Sequence, residues 1–285
     1  MTSTSSPLIQ PLSLAQVDSL RLPFAGSWAI DQVRERVTKY PQFAFWSPNT
    51  RDYILGGFWR GRPEVGLLAE ATGNNVVKTA LVQRQAEAFA ECGSLAMVLS
   101  DPEVDRAERF YLGLGWPVLE EMVQYERHSC HVESDERPQL TLRPFMPDDL
   151  ASVTNIDRRA FRWLWWNDPQ DFLQYCRLPD VHAFTTWHGE DLVGYVSYTL
   201  REGRGHIDRI AIDPDFQGRG YGADLLIMIM QRMEREGGRN VGLNTQSDNQ
   251  RAHNLYGRFG FDRQRWGFRI VGKWLTDTPM ETGGA

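Results

Sequence analysis

One run of residues limits this chain more than any other. The strand-like stretch 206–212, His-Ile-Asp-Arg-Ile-Ala-Ile, leads into Gln217-Gly218-Arg219-Gly220-Tyr221-Gly222, and a long apolar pattern of helical period leads out. A strand, a glycine loop and a helix N-terminus in that order make a cradle for a phosphorylated ligand. Gly220 and Gly222 carry no Cβ, so backbone N–H groups can close on a bulky anion. The first amides of the helix lack intrahelical partners and the aligned peptide dipoles place partial positive charge there, which favours a pyrophosphate. Arg219 adds a mobile charge at the rim. Spacing excludes two other loops of this kind. A Walker A loop continues with Lys and then Ser or Thr, whereas Ala223-Asp224 follow here. A dinucleotide fingerprint needs Gly-x-Gly-x-x-Gly, whereas these glycines stand at 218, 220 and 222.

The pattern that remains is Gln-x-x-Gly-x-Gly, preceded by Ala211-Ile212-Asp213-Pro214. About 30 residues downstream comes Asn249-Gln250-Arg251-Ala252-His253-Asn254-Leu255-Tyr256-Gly257-Arg258-Phe259-Gly260-Phe261, and upstream Leu142-Arg143-Pro144-Phe145 with Asp148-Asp149-Leu150. Together they resemble, in order, the motifs of the GNAT superfamily of N-acetyltransferases, over about residues 139–270. The resemblance implies an α/β (α+β) fold with a mixed, mostly antiparallel central sheet flanked by helices. It also implies acetyl-CoA as cosubstrate, with the pyrophosphate on Gln217, Gly218, Arg219, Gly220, Tyr221 and Gly222. The pantetheine arm would lie where the sheet splays beside strand 206–212, against the backbone of Ile210, Ala211 and Ile212, as an added strand would. Asn249, Ala252 and Tyr256 would complete the cofactor contacts.

Length and composition suit such an enzyme. At 285 residues the chain exceeds one domain of usual size, and 41% hydrophobic residues can fill two cores. No apolar run approaches the ~20 residues that cross a bilayer. Met1-Thr2-Ser3-Thr4-Ser5-Ser6 lacks a basic and apolar signal sequence, so cytoplasm is expected. Cys92, Cys130 and Cys176 are odd in number and widely spaced, which reads as reduced thiols. His128, Cys130 and His131 supply three close ligands without a fourth, and no metal is expected. The net charge of −6 is uneven: residues 1–138 hold 13 Lys+Arg against 18 Asp+Glu, and residues 139–285 hold 18 against 19. Neither half has the basic surplus of a nucleic-acid surface.

The first half reads as a diverged copy of the second. Leu8-Ile9-Gln10-Pro11-Leu12 parallels Thr141-Leu142-Arg143-Pro144-Phe145, and residues 53–59 parallel residues 192–198. Arg109-Phe110-Tyr111-Leu112-Gly113-Leu114-Gly115-Trp116 matches residues 254–261 at an offset of 145. Two tandem domains follow, a degenerate one at 1–137 and an acetyl-CoA-binding catalytic one at 138–285, joined through the polar stretch 128–139. At an offset of 144, Gln217, Gly220 and Gly222 fall on Gly73, Val76 and Lys78, so the first copy is expected to have lost the cradle. Its role would be a scaffold or a wall of the acceptor cleft.

Attack of an amine on a thioester needs a neutral nucleophile and a proton for the departing thiolate. Tyr256 stands where many members of the family carry the tyrosine that protonates that thiolate. The base is open. Ribosomal-protein alanine acetyltransferases place a Glu at the position of Asn244. Histone acetyltransferases place one eleven residues before the motif Gln, where this chain has His206. Asp208, on the same strand face, could act instead or orient the histidine; the pair also fits a plain surface contact. Phe161-Arg162-Trp163-Leu164-Trp165-Trp166 could line a pocket for an apolar or cationic amine, or form a seam between domains. Two function classes stand: an N-acetyltransferase acting on an amine of a small molecule or protein N-terminus, and a non-catalytic acetyl-CoA-binding or interaction module, suggested by the missing Glu at 244. Nothing in the sequence sets an oligomeric state.

Overall fold

The computed structural model describes residues 6–22, 28–100, 105–133 and 138–277. By internal contacts the chain divides into two compact units, Met1–Glu120 with Arg269–Met280, and Glu121–Phe268 with Glu281–Ala285.

In the first unit, β1 (Gln10–Pro11), α1 (Ile30–Lys39), β2 (Phe45–Trp46), β3 (Tyr53–Trp59), β4 (Arg62–Ala71), α2 (Asn75–Glu91), β5 (Ala96–Ser100) and α3 (Asp105–Gly113) follow in order. The strands β1 to β4 pair antiparallel in sequence and β4 pairs parallel with β5. Two apolar clusters cover the two faces of this sheet. One sets Leu81 and Phe89 of α2 on Ile54, Leu68 and Met97; the other sets Val33 and Val37 of α1 on Tyr53 and Leu55. The helix α2 starts at Asn75. Asn74 caps that start, its Oδ1 accepting the N–H groups of Val76 at 3.0 Å and Val77 at 3.1 Å.

Next come β6 (Val118–Arg127), β7 (Thr141–Pro144), α4 (Leu150–Ala160), α5 (Pro169–Tyr175), β8 (Val181–His188), β9 (Asp191–Arg201) and β10 (Arg204–Ile212). They are followed by α6 (Tyr221–Arg235), β11 (Asn240–Gln246), α7 (Gln250–Arg258) and β12 (Asp262–Trp274). In the second unit β7 to β10 pair antiparallel, β10 pairs parallel with β11, and β11 pairs antiparallel with β6. On one face α6 buries Leu225, Leu226, Ile229, Met230 and Met233 completely against Val193, Ile207, Val241 and Leu243. Each such side chain contributes about 1.5–3 kcal/mol. The other face carries α4 and α5 through Val153, Ile156 and Phe172, packed on Tyr195 and Ala211. Each unit thus has a mixed sheet, mostly antiparallel, between helices.

Two features depart from what periodicity alone suggests. The stretch expected as a linker is partly docked: Cys130 and Leu140 lie in the α6 core, and the Gln139 N–H donates to Asp224 at 3.2 Å. His131 Nδ1 lies 3.0 Å from Glu234; residues 134–137 are outside the described residues. The last strand, β12, is divided between the units: its residues 270–274 pair antiparallel with β5 of the first unit. No helix among the described residues is long and apolar enough to cross a membrane.

Candidate active site

The site grows from the parallel pair β10 and β11. Their pairing starts at Arg204↔Asn240 and ends at Ile207↔Leu243. Beyond that point β10 stays on β9 as far as Ile212↔Gly194, while β11 stays on β6 as far as Gln246↔Met122. Each strand is held from its outer side, so the sheet opens into a wedge. The opening coincides with a register shift between Ile207 and Arg209 on β10. An extra residue there bends the strand and increases its twist. The wedge-side backbone groups of residues 209–212 therefore have no strand partner among the described residues, and an extended ligand can complete the ladder. Ile210, Ala211 and Ile212 are the residues that border the opening.

The wedge runs toward the glycine loop. Gly218 has φ +78° and Gly220 φ +87°, left-handed values that a side chain rarely adopts. Gly220 is the N-cap of α6 and brings no side chain to its first amides. A Cβ on Gly222 would meet only Leu255 Cδ2 at 3.7 Å, an ordinary contact. The protein itself does not demand glycine at 222, and the absence of a side chain there leaves the helix start open to an anion. The loop therefore fits a pyrophosphate held by free amides. Arg219 lies exposed at its rim, its guanidinium 5.2 Å from the Phe216 ring and donating to the Asp215 carbonyl at 3.2 Å. Tyr221 points into the core, where its ring stacks 5.2 Å from His188.

Two of the expected cofactor residues are engaged by the protein. Gln217 Nε2 donates to the Ile212 carbonyl at 2.9 Å, and its Oε1 accepts from Arg251 of α7. Asn249 is the N-cap of α7: its Oδ1 accepts the Ala252 N–H at 3.1 Å, and its Nδ2 donates to Thr245 Oγ1 at 3.2 Å. Both side chains tie the two edges of the wedge to their neighbours, and Ala252 packs half-buried behind them.

His206 and Asp208 meet on the α4/α5 face of β10. His206 Nδ1 is 3.0 Å from Asp208 Oδ1, and Asp208 Oδ2 accepts from Tyr175 at 2.5 Å and Thr199 at 2.7 Å. A carboxylate only accepts, so Nδ1 carries the hydrogen, and in the neutral form of the ring Nε2 is the atom with the lone pair. The His206 side chain is 36% exposed, open enough for that lone pair to meet a substrate. Burial and the neighbouring Asp208 carboxylate push the Tyr175 phenol up, which keeps it a donor.

Next to this pair, Asp157 of α4 is 2% exposed and bonds Arg209 Nη2 at 2.6 Å, the Tyr195 hydroxyl, and Asn167 through its backbone N–H at 2.9 Å. Arg209 also donates to the Trp165 carbonyl at 2.5 Å and lies 3.9 Å over the Phe161 ring. The tryptophan segment is thus clamped onto β10, with Trp163 and Trp165 buried. Arg162 reaches Asp248 of the β11–α7 loop at 2.6 Å and holds its carboxyl below the usual range. On β11, Asn244 pairs opposite Gln124, and its buried Oδ1 has no hydrogen-bond partner among the described residues. Tyr256 of α7 is 5% exposed, and burial first, then Tyr125, pushes its phenol up.

The corresponding loop of the first unit is built otherwise. Three residues separate Ala71 from Asn75, against eight between Ile212 and Tyr221. The two helices end 144 residues apart, at Glu91 and Arg235, but start 146 apart, at Asn75 and Tyr221. The N-cap opposite Gly220 is therefore Asn74, which fills its own amides, and the second helical residue opposite Gly222 is Val76, 64% exposed. Tyr175, Thr199, Arg251 and Tyr125 had no local sequence mark; each enters through contacts more than eight residues away in the chain.

Residues 150–261 match the family model described as acetyltransferase (GNAT) family. A mycothiol acetyltransferase from Brachybacterium faecium is 32% identical over 124 residues, which are 41% of this chain and 32% of that protein. The chain thus spans about a third of the length of that relative. A GCN5-related N-acetyltransferase from Sphaerobacter thermophilus superposes with a TM-score of 0.61 at 16% identity, over 98% of each chain. One from Kribbella flavida gives 0.66 at 13% identity, over 94% of this chain and 70% of that one. A tandem GNAT protein from the clavulanic acid biosynthesis pathway, in a structure without AcCoA, gives 0.59 at 12% identity, over 95% and 99%. These structural likenesses concern the fold.

Proposed function

Residues 150–261 form a domain of the acetyltransferase (GNAT) family, and from that premise we propose that the chain transfers the acetyl group of acetyl-CoA directly to an amine. The observation that carries this reading is the wedge, open from Asp208 on and leading to an uncapped glycine cradle, with the His206–Asp208 pair at its apex. Residues 209–212 would hold the pantetheine arm, and the amides at 220–222 the pyrophosphate. When bound, the cosubstrate supplies an activated acyl carbonyl.

An alkyl amine has a pKa near 10.4 and is mostly protonated at pH 7, so a base must act on it. His206 Nε2 takes the proton from the attacking nitrogen, and Asp208 holds the ring in the tautomer that can do so. Tyr256 gives its proton to the departing sulfur; its raised pKa keeps the phenol protonated at neutral pH. Asn244 takes no proton, so the base lies on β10. The acceptor is an amine of a small molecule or of a protein N-terminus, and the mycothiol acetyltransferase likeness favours the small molecule.

Thiol release from acetyl-CoA in the presence of amine mixtures tests the reading. No release with any amine, despite tight acetyl-CoA binding, would favour a non-catalytic binding module. The His206→Ala variant is expected to lose about a hundredfold in kcat at neutral pH; full kcat would remove the histidine from the mechanism.

The first unit takes no acetyl-CoA in this proposal, since Asn74 occupies the amides and Val76 the approach. Calorimetric titration should give one acetyl-CoA per chain. Two per chain would mean a working cradle in the first unit as well.

A further inference from the structure

An aspartate does not fix its own carboxylate. Rotation about its Cβ–Cγ bond is broad and roughly two-fold, so the groups around it decide where its oxygens point. Asp208 is also the residue that the β9–β10 ladder skips: Ile207 pairs with Tyr198 and Arg209 with Ser197, and Asp208 has no ladder partner on β9 among the described residues. A side chain at such a bulge takes its aim from its contacts.

Those contacts divide the two oxygens. Oδ1 takes the Nδ1 hydrogen of His206 at 3.0 Å, and Oδ2 takes the hydroxyls of Tyr175 at 2.5 Å and Thr199 at 2.7 Å. Both donors are set from outside β10. Thr199 stands directly opposite His206 in the antiparallel ladder, so the two side chains rise from the same face. Tyr175 ends α5, whose Phe172 is 5% exposed and packs edge-on against Phe145 at 5.5 Å and Tyr195 at 5.8 Å. The hydroxyls are thus anchored by sheet and core, while the Asp208 side chain, 26% exposed, is within reach of water.

We propose that Tyr175 and Thr199 are positioning residues for His206 that act through Asp208: by holding Oδ2 they turn Oδ1 toward Nδ1 and keep the neutral ring in the tautomer whose Nε2 can take a proton. The role in turnover rests on the transferase reading above, whereas the tautomer does not. A neutral imidazole carries one hydrogen, and with Oδ1 adrift that hydrogen is shared between the two nitrogens. A ring with its hydrogen on Nε2 cannot accept another there. In the step, an N–H bond of the attacking amine breaks, its electron pair stays on that nitrogen, and a new N–H bond forms at Nε2. Asp208, Tyr175 and Thr199 keep their protonation states, and the imidazolium passes its proton on to water.

The first readout needs no turnover. With isotope-labelled ring nitrogens, the two His206 resonances are followed in the protein without ligand at a pH where the ring is neutral, and are assigned by their loss in His206→Ala. In the unaltered chain Nε2 should resonate as a nitrogen with a lone pair and Nδ1 as one with a hydrogen. In the double variant Tyr175→Phe with Thr199→Val the two should move toward a common average; Thr199→Ser, which keeps the hydroxyl, should leave them in place. Tyr175→Phe and Thr199→Val should each lower kcat about fivefold, the scale of one net hydrogen bond, with the acetyl-CoA KM within about twofold. Neither should cost anything further on a His206→Ala background, since residues that act through one group share its loss. Resonances that stay in place in the double variant, or a further loss of kcat on the His206→Ala background, overturn the inference. An unaltered chain that releases no thiol overturns the transferase reading, and the nitrogen resonances still decide this one.

Discussion

Gly222→Val is expected to weaken acetyl-CoA binding on the order of a thousandfold while leaving the thermal midpoint nearly unchanged. The protein tolerates the side chain: a Cβ at 222 meets only Leu255 Cδ2 at 3.7 Å, and the residue is the second of α6 with no left-handed backbone angle. The ligand does not tolerate it. Two amide hydrogen bonds to a charged phosphate are worth about 2 kcal/mol each, and a β-branched side chain standing on the helix start keeps the phosphate away from both. The substitution installs in α6 what α2 already has at its second position, Val76. Calorimetry with acetyl-CoA and a melting curve make the pair of measurements. Unaltered affinity would mean the pyrophosphate does not seat on these amides, and a large drop in midpoint would mean glycine serves the fold instead.

Asp157→Ala is expected to destabilise the second unit by about 3–5 kcal/mol, the range for leaving one partner of a buried ion pair alone. Arg209 is 7% exposed, and with the carboxylate gone its remaining support is the Trp165 carbonyl and the face of Phe161. Tyr195 and Asn167 lose an acceptor in the same step. At about 2–4 °C per kcal/mol, the midpoint should fall by roughly 10 °C. The double variant Asp157→Leu with Arg209→Met should recover much of the loss, because two apolar side chains in close packing replace a pair whose desolvation was costly. A single-variant loss under about 1 kcal/mol, measured by urea unfolding, would show that water reaches Arg209. The same clamp fixes the tryptophan segment, so the acceptor KM should rise in the single variant if that segment lines the cleft.

The parts of the site that could be read from the sequence are those encoded within one or two turns of chain. The alternation of residues 206–212, the paired glycines and the stripe of Leu225, Leu226, Ile229, Met230 and Met233 specify strand, loop and helix from neighbour to neighbour. The parts that could not be read depend on partners far away in sequence. Nothing local marks the bulge near Asp208, yet it sets where the wedge opens and keeps Asp208 near Tyr175. Gln217 and Asn249 looked like ligand contacts, and the structure gives both a second employment, one bridging Ile212 to Arg251 and one capping α7. In the first unit the repeat offset of 144 sets Val76 opposite Gly220, whereas the structure sets Asn74 there, because Asn74 captures two amides and lengthens the helix. A single cap residue moved the correspondence by two positions.

The division of β12 bears on how the chain comes off the ribosome. Residues 1–120 emerge first, and in them β5 has one edge on β4 and the other edge free. The strand that covers that free edge, residues 270–274, is made only after residues 121–268 of the second unit. The first unit must therefore wait with Met97, Val98 and Leu99 on an open β-edge, a surface prone to wrong pairing. Synthesis order makes the N-terminal unit the last to close, and any truncation that removes β12 would leave both units short of a strand.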